Sequence, residues 1–323
     1  MKKHTLRVLA LATLTALSFA PSAAGATGYD GIVAFGDSLS DNGNIFALTS
    51  GAEPAAPYWN GRFSNGPTAV EDMALTMHLG LTDYAFGGAQ TGLTNIAGTA
   101  LNGTGVQGQV LMYAAGHSSV ADPKSLYFLW AGPNNFLAGT NMTDPNTAPS
   151  AVTDIVNDVT ALYTMGARHF FVPTMPNLGL TPLAAGQGSS FQQLAQAQSV
   201  LFDALLTNAM GTFSTTHSGA QVTVFDTLTF MDAAITQLAS AGVNVTTPCL
   251  DASTNTACAN PNQSLFWDSL HPTEVGHALL GTAFAAAAPV PSVPEPGSLA
   301  LMLAGLGLVG VFARRRAAVA SRE

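Results

Sequence analysis

The sequence is short of charge, and of positive charge above all. Its 323 residues include ten Lys and Arg against nineteen Asp and Glu. Seven of the ten basic residues lie at the ends (Lys2, Lys3, Arg7, Arg314, Arg315, Arg316 and Arg322), which leaves Arg62, Lys124 and Arg168. Those three face seventeen acids between residues 27 and 292, a formal charge of −14. Such a body repels nucleic acid and anionic lipid, so nucleic acid is excluded as a partner and neutral substrates are favoured. Cysteine is equally scarce: Cys249 and Cys258, in "TPCLDASTNTACANP", are the pair. Neither has a His or a further Cys at ligand spacing, which argues against a zinc site. The sequence has no H-E-x-x-H, EF-hand or P-loop spacing and no repeat of solenoid length. One match to G-x-G-x-x-G, "GLGLVG" near the C-terminus, has no βαβ unit or ribose-binding acid around it. Neither a metal nor a cofactor is expected.

Long apolar runs occur at the two ends. Residues 1–26 read as a signal peptide: a basic start, the apolar "VLALATLTALSFA", and Ala24-Gly25-Ala26 as a small-x-small cleavage site before Thr27. Export implies an oxidising compartment, where Cys249 and Cys258 are expected to form a disulfide worth about 2 to 3 kcal/mol. At the other end, "VPEPGSLALMLAGLGLVGVFARRR" passes from a Pro-Glu-Pro turn through about 17 apolar residues to three arginines, the short limit of a membrane span with its cytoplasmic flank. This tail resembles the PEP-CTERM sorting signal of Gram-negative bacteria. The resemblance implies removal by an exosortase-type membrane protease, a link to export and extracellular polysaccharide, and membrane association through the C-terminal segment, at least transiently. A plain single-span anchor is the alternative.

Between the ends, strand-like runs (31–36, 83–86, 125–132, 168–175 and 221–227) alternate with helix-like windows (68–79, 148–166, 190–213 and 272–287). Alternation of this kind predicts an α/β fold, a three-layer α/β/α sandwich with a mostly parallel sheet of about five strands. Residues 93–111, rich in small side chains and only mildly apolar, suit a mobile loop over a site as well as they suit an apolar lid. The expected organisation is a hydrolase domain over 27–287, a Pro-rich linker over 288–296 and a sorting segment over 294–323.

The chemistry-bearing residues sit at the ends of this pattern. "IVAFGDS" places Ser38 just after an apolar strand, at the carboxyl edge where open α/β sheets bind ligands, although a helix N-cap is the ordinary reading of a serine there until a base and an acid are found. A nucleophilic serine needs a base and an orienting acid. Of the seven histidines, His271 stands apart, in "FWDSLHPTEVGHALLG" before the last helix and three residues after Asp268. His277 reads as a packing or capping residue. Asp37 and Asp41, beside Ser38, read as turn or cap residues.

In order along the chain, "FGDSLSDNGN", "DYAFGGAQTG", "LWAGPNNF" and "DSLHPTEVGHALLG" resemble the four signature blocks of the GDSL esterases and lipases, the SGNH hydrolases. "NGRFSNGPTAVEDMA" is similar to a stretch found in a secreted-lipase branch of that family. The resemblance implies a SGNH-like, flavodoxin-like fold and a secreted serine ester hydrolase, with Ser38 as nucleophile, His271 as base and Asp268 as orienting acid. It also implies an oxyanion hole built from the backbone N–H groups of Ser38 and Gly88 and the side-chain amide of Asn134. Gly87 is the alternative to Gly88. Asn135 departs from the family's usual Asp, which puts the support of Asn134 in question. The implied substrates are small-molecule, lipid or acetylated-polysaccharide esters; a non-catalytic matrix or adhesion module keeping the same fold is the other reading.

Overall fold

The computed structural model describes residues 28–289. Five parallel strands, β1 (Ile32–Gly36), β2 (Leu81–Asp83), β3 (Leu126–Trp130), β4 (His169–Pro173) and β5 (Gln221–Phe225), form one sheet in the order β2-β1-β3-β4-β5. The helices are α1 (Asn44–Leu48), α2 (Ala69–Met77), α3 (Val106–Gly116), α4 (Pro133–Leu137), α5 (Thr147–Met165), α6 (Pro182–Gly186), α7 (Ser189–Thr216), α8 (Thr227–Ser240) and α9 (Glu274–Ala287). A two-stranded hairpin, β6 (Leu250–Asp251) with β7 (Thr256–Ala257), is closed by a disulfide between Cys249 and Cys258.

Strand periodicity sorts the core into two layers. Val33 and Phe35 of β1 join Tyr127, Leu129, Phe170 and Val172 beneath α3, α5 and α7. Ile32 and Ala34 join Phe128, Trp130 and Phe171 beneath α2, α8 and α9, with Phe284 of α9 packed against the rings of Trp130, Phe171 and Phe225. Both faces are covered, so β1 and β3 are buried at every position and read as continuous apolar runs.

Two expectations are corrected. The second strand is Leu81–Asp83 rather than residues 83–86, and the chain runs on beside β1 up to the glycine loop, with the Tyr84 and Phe86 N–H groups donating to the Ala34 and Gly36 carbonyls at 2.8 and 3.2 Å. Residues 93–111 are not one loop: α3 begins at Val106. Gly108 makes that stretch look loop-like, yet the helix needs it, since a Cβ there would lie 2.0 Å from the Gly103 carbonyl oxygen. α8, unforeseen in the sequence, starts where the Asp226 side chain accepts from the Thr229 N–H at 2.9 Å. Among the described residues no helix is long and apolar enough to cross a membrane. The signal peptide and the apolar tail lie outside the described residues.

Strand order places a topological switch at β1, whose neighbours β2 and β3 lead to opposite sides. The crevice beyond the carboxyl ends of β1 and β3 is where such a sheet binds ligands. Ser38 follows β1 and Asn134 follows β3.

Candidate active site

Ser38 is held on a tight turn. Gly36 ends β1 close against β3, where a Cβ would meet the Trp130 carbonyl oxygen at 2.4 Å. The buried Gln109 of α3 clamps the same residue, accepting from the Gly36 N–H at 2.9 Å and donating to its carbonyl at 2.8 Å. Past the nucleophile position, the Ser40 and Asp41 N–H groups donate back to the Asp37 carbonyl at 3.0 and 2.9 Å. Asp37 itself accepts from the Leu39 N–H at 3.0 Å, and its other carboxylate oxygen has no partner among the described residues. Burial drives the Asp37 pKa up to about 7, only partly offset by the Leu39 N–H and by nearby His271.

From the loop before α9, the His271 Nε2 reaches the Ser38 Oγ at 2.8 Å. Its Nδ1 lies 2.7 Å from the Asp268 Oδ2. The other oxygen of Asp268 accepts from the Leu270 and His271 N–H groups at 2.8 and 2.7 Å. Burial opposes ionisation of Asp268, but His271 and these N–H donors outweigh it and hold the carboxyl at about 2. For His271 burial works against the charged form, yet the Asp268 carboxylate prevails and its pKa lies above the ordinary value. The structure therefore joins a hydroxyl, an imidazole and a carboxylate in one hydrogen-bonded line.

Ser38, Gly88 and Asn134 line one cleft. The Ser38 and Gly88 N–H groups have no acceptor among the described residues, whereas the Gly87 N–H is taken by the Asp41 carboxylate at 2.7 Å. Asp41 also gathers the N–H groups of Gly43, Asn44 and Ile45 at the start of α1, so it fastens the Ser38 turn, α1 and the glycine loop together. Gly88 has a positive φ of 76°, and a Cβ there would lie 2.5 Å from the Asn95 Oδ1. Asn134, in the first turn of α4, donates one side-chain N–H to the Ala89 carbonyl at 3.0 Å, which fixes its amide and leaves a second N–H.

The model of the GDSL-like lipase/acylhydrolase family matches residues 32–284. The chain belongs to that family. A PEP-CTERM protein-sorting motif matches residues 292–316. The chain is 27% identical to the thermolabile hemolysin of Vibrio parahaemolyticus over 76% of its own length and 60% of that protein. It is 29% identical to esterase EstA of Pseudomonas aeruginosa over 84% of its length and 49% of that protein. It thus spans only about half of these relatives. Among solved structures, an acetylxylan esterase of Geobacillus stearothermophilus is similar over 80% of this chain and 93% of that one, at 11% identity and a TM-score of 0.42.

Other contacts within this GDSL-family chain were not legible in its sequence. Asn135, which departs from the family's Asp, binds Thr91 twice: its Oδ1 accepts from the Thr91 N–H at 3.1 Å and its Nδ2 donates to the Thr91 Oγ1 at 2.9 Å. Thr91 Oγ1 then donates to Asp154 of α5 at 3.0 Å, so a carboxylate reaches this junction from another helix. The Arg-Phe-Ser-Asn-Gly stretch holds the histidine loop. Ser64 donates to the Pro272 carbonyl at 2.9 Å, Asn65 accepts from the Glu274 N–H at 2.9 Å, and the Phe63 ring packs 5.2 Å from that of His271. His277 is buried and accepts from the Ala69 N–H at 3.1 Å, as a packing residue between α9 and α2. Tyr58, singled out by no sequence motif, donates to the Asp268 Oδ2 at 2.7 Å.

Two clefts meet at Ser38. One, an enclosed apolar slot of about 50 Å³, is walled by Leu178, Met231, Ile235, Phe266 and Leu280. The other, about 560 Å³ and more open, runs past Gly88 between Phe63, Ile96 and Leu101 towards Thr49 and Glu53.

Proposed function

We propose that the protein is a serine ester hydrolase that works through an acyl-enzyme on Ser38. The observation that carries this reading is the continuous line from Ser38 Oγ through His271 to Asp268, beside two N–H groups with no acceptor among the described residues. Neutral His271 takes the Ser38 proton as Oγ attacks the acyl carbonyl, then returns it to the leaving alcohol; water repeats the cycle on the acyl-enzyme. Asp268 orients the imidazole and stabilises its charged form. The Ser38 and Gly88 N–H groups and the Asn134 amide receive the oxyanion, a role worth roughly 100-fold to 1000-fold in turnover per donor.

The more enclosed apolar cleft suits the acyl chain, and the open groove suits the alcohol. Short acyl esters fit the smaller cleft best, including acetyl groups on a polysaccharide, whose neutral chains suit the acidic body. The sorting motif supports export from a Gram-negative cell, with an exosortase-type protease acting on the tail and transient anchoring in the inner membrane. The hydrolase domain is taken as residues 27–287.

The test is turnover of 4-nitrophenyl esters from acetyl to palmitoyl by the wild-type protein and Ser38→Ala. Activity peaking at acetyl or butyryl and lost in the variant is the expected result. Equal rates for the two proteins across the series would leave the fold as a non-catalytic matrix or adhesion module.

A further inference from the structure

Asp268 has a second partner that the Ser–His–Asp line does not require. The Tyr58 hydroxyl donates to Oδ2, the same carboxylate oxygen that faces the His271 Nδ1. Tyr58 comes from the loop between α1 and α2, 210 residues away in sequence, and the structure holds it from three sides. Its ring meets Phe63 at 6.1 Å and Trp267 at 6.2 Å, both edge-on. Trp267, Cys249 and Leu250 form a small apolar cluster against which Tyr58 packs, and the tip of the disulfide-closed hairpin binds the same loop through Asn255 Nδ2 and the Ala56 carbonyl at 3.1 Å. An open cleft beside the imidazole is lined by Tyr58, Leu183, Leu250, Asp268 and His271, so the tyrosine and the carboxylate share one partly exposed wall.

We propose that Tyr58 is a positioning residue that sets the basicity of His271 by sharing the Asp268 carboxylate oxygen. This rests on the esterase reading above. A donor on Oδ2 takes up part of the negative charge that would otherwise stabilise the imidazolium. Without that donor Asp268 holds the His271 proton more firmly, and neutral His271 appears only at higher pH. The hydroxyl can serve throughout the working range, because burial and then the adjacent Asp268 keep it protonated well above the ordinary tyrosine value. The other titratable groups around the pair are Asp37 and His277, which face His271, Glu53, which faces Tyr58, and Asp251, which lines the cleft that Tyr58, Asp268 and His271 share. None of them donates to Asp268 Oδ2 among the described residues.

The test is the pH dependence of kcat and kcat/KM for Tyr58→Phe, which keeps the ring and its packing. The acid limb is expected to move alkaline by up to one pH unit, with about a tenfold loss of rate below the limb. Above the limb kcat should fall little and KM should stay unchanged. Incorporation of 3-fluorotyrosine at position 58, a stronger donor in the same fold, should move the limb the opposite way. An acid limb that both variants leave in place, in a wild-type protein whose activity depends on Ser38, would overturn the assignment of Tyr58 alone. Absence of Ser38-dependent activity in the wild type would instead overturn the esterase reading.

Discussion

Asn134→Ala separates the chemistry of the site from its architecture, because the structure gives the side-chain amide two duties. One N–H fixes the amide on the Ala89 carbonyl at 3.0 Å, and the other is the proposed third oxyanion donor. Ala89 is fully buried, so truncation leaves its carbonyl unpartnered at a cost of about 1 to 3 kcal/mol. For a domain of this size that is a fall in Tm of roughly 2 to 10 °C. A domain stable by about 5 to 15 kcal/mol stays folded at 25 °C after that loss, so unfolding does not account for a lower rate there. The donor acts on the oxyanion, which exists only in the transition state and the tetrahedral intermediate. Its removal should therefore lower kcat by roughly 100-fold to 1000-fold and leave KM nearly unchanged. Steady-state kinetics on 4-nitrophenyl butyrate at 25 °C, with calorimetry of the same sample, reads both effects. A folded variant whose kcat lies within tenfold of wild type would refute the oxyanion role. A rise in KM at constant kcat would recast Asn134 as a ground-state contact.

Ile235→Trp, which fills the enclosed cleft, should abolish turnover of butyryl and longer esters while sparing acetyl; uniform loss across the series would show that the acyl chain lies elsewhere. Stability should decline from about pH 4 to pH 8, because burial raises Asp158 to about 8 and Asp37 to about 7. In that window the unfolded chain ionises these carboxyls freely while the folded state resists, so the folded state binds more protons and loses ground as pH rises. Asp158→Asn should flatten the decline and raise Tm at pH 8; thermal melts at pH 5 and pH 8 that differ equally in both proteins would contradict this.

The strands that carry the site were readable because each is buried on both faces. In β1 and β3 nothing but apolar side chains fits, and a continuous apolar run ended by Gly is unambiguous. α3 and α8 were not readable, for different reasons. Gly105 and Gly108 of the α3 region serve close approaches to Gly92 and Gly103, so residues that usually signal a loop here signal packing. α8 leans on the sheet edge through Met231 with a largely half-buried face, and its opening Thr-Leu-Thr-Phe has no helical bias.

The candidate site divides along a similar line. The meeting of Ser38, Asp268 and His271 was legible because the roles proposed for them demand residue types in short ordered blocks, at the end of a strand and before a helix. The blocks favour Gly88 without excluding Gly87, and the fold adds what they lack: the Gly87 N–H is already taken by Asp41, 46 residues away. Asn135 is a sharper case. Read alone, it is a lost carboxylate beside the oxyanion hole. In the fold it binds Thr91 through both atoms of its amide, and Asp154 takes up the Thr91 hydroxyl from the far side. An aspartate at 135 could accept the Thr91 N–H, but it has no N–H to give the Thr91 Oγ1, and it would bring a second carboxylate to the junction that Asp154 already occupies. The amide and the distant acid thus form one unit, and the departure from the family pattern is matched by a residue that no local motif connects to it.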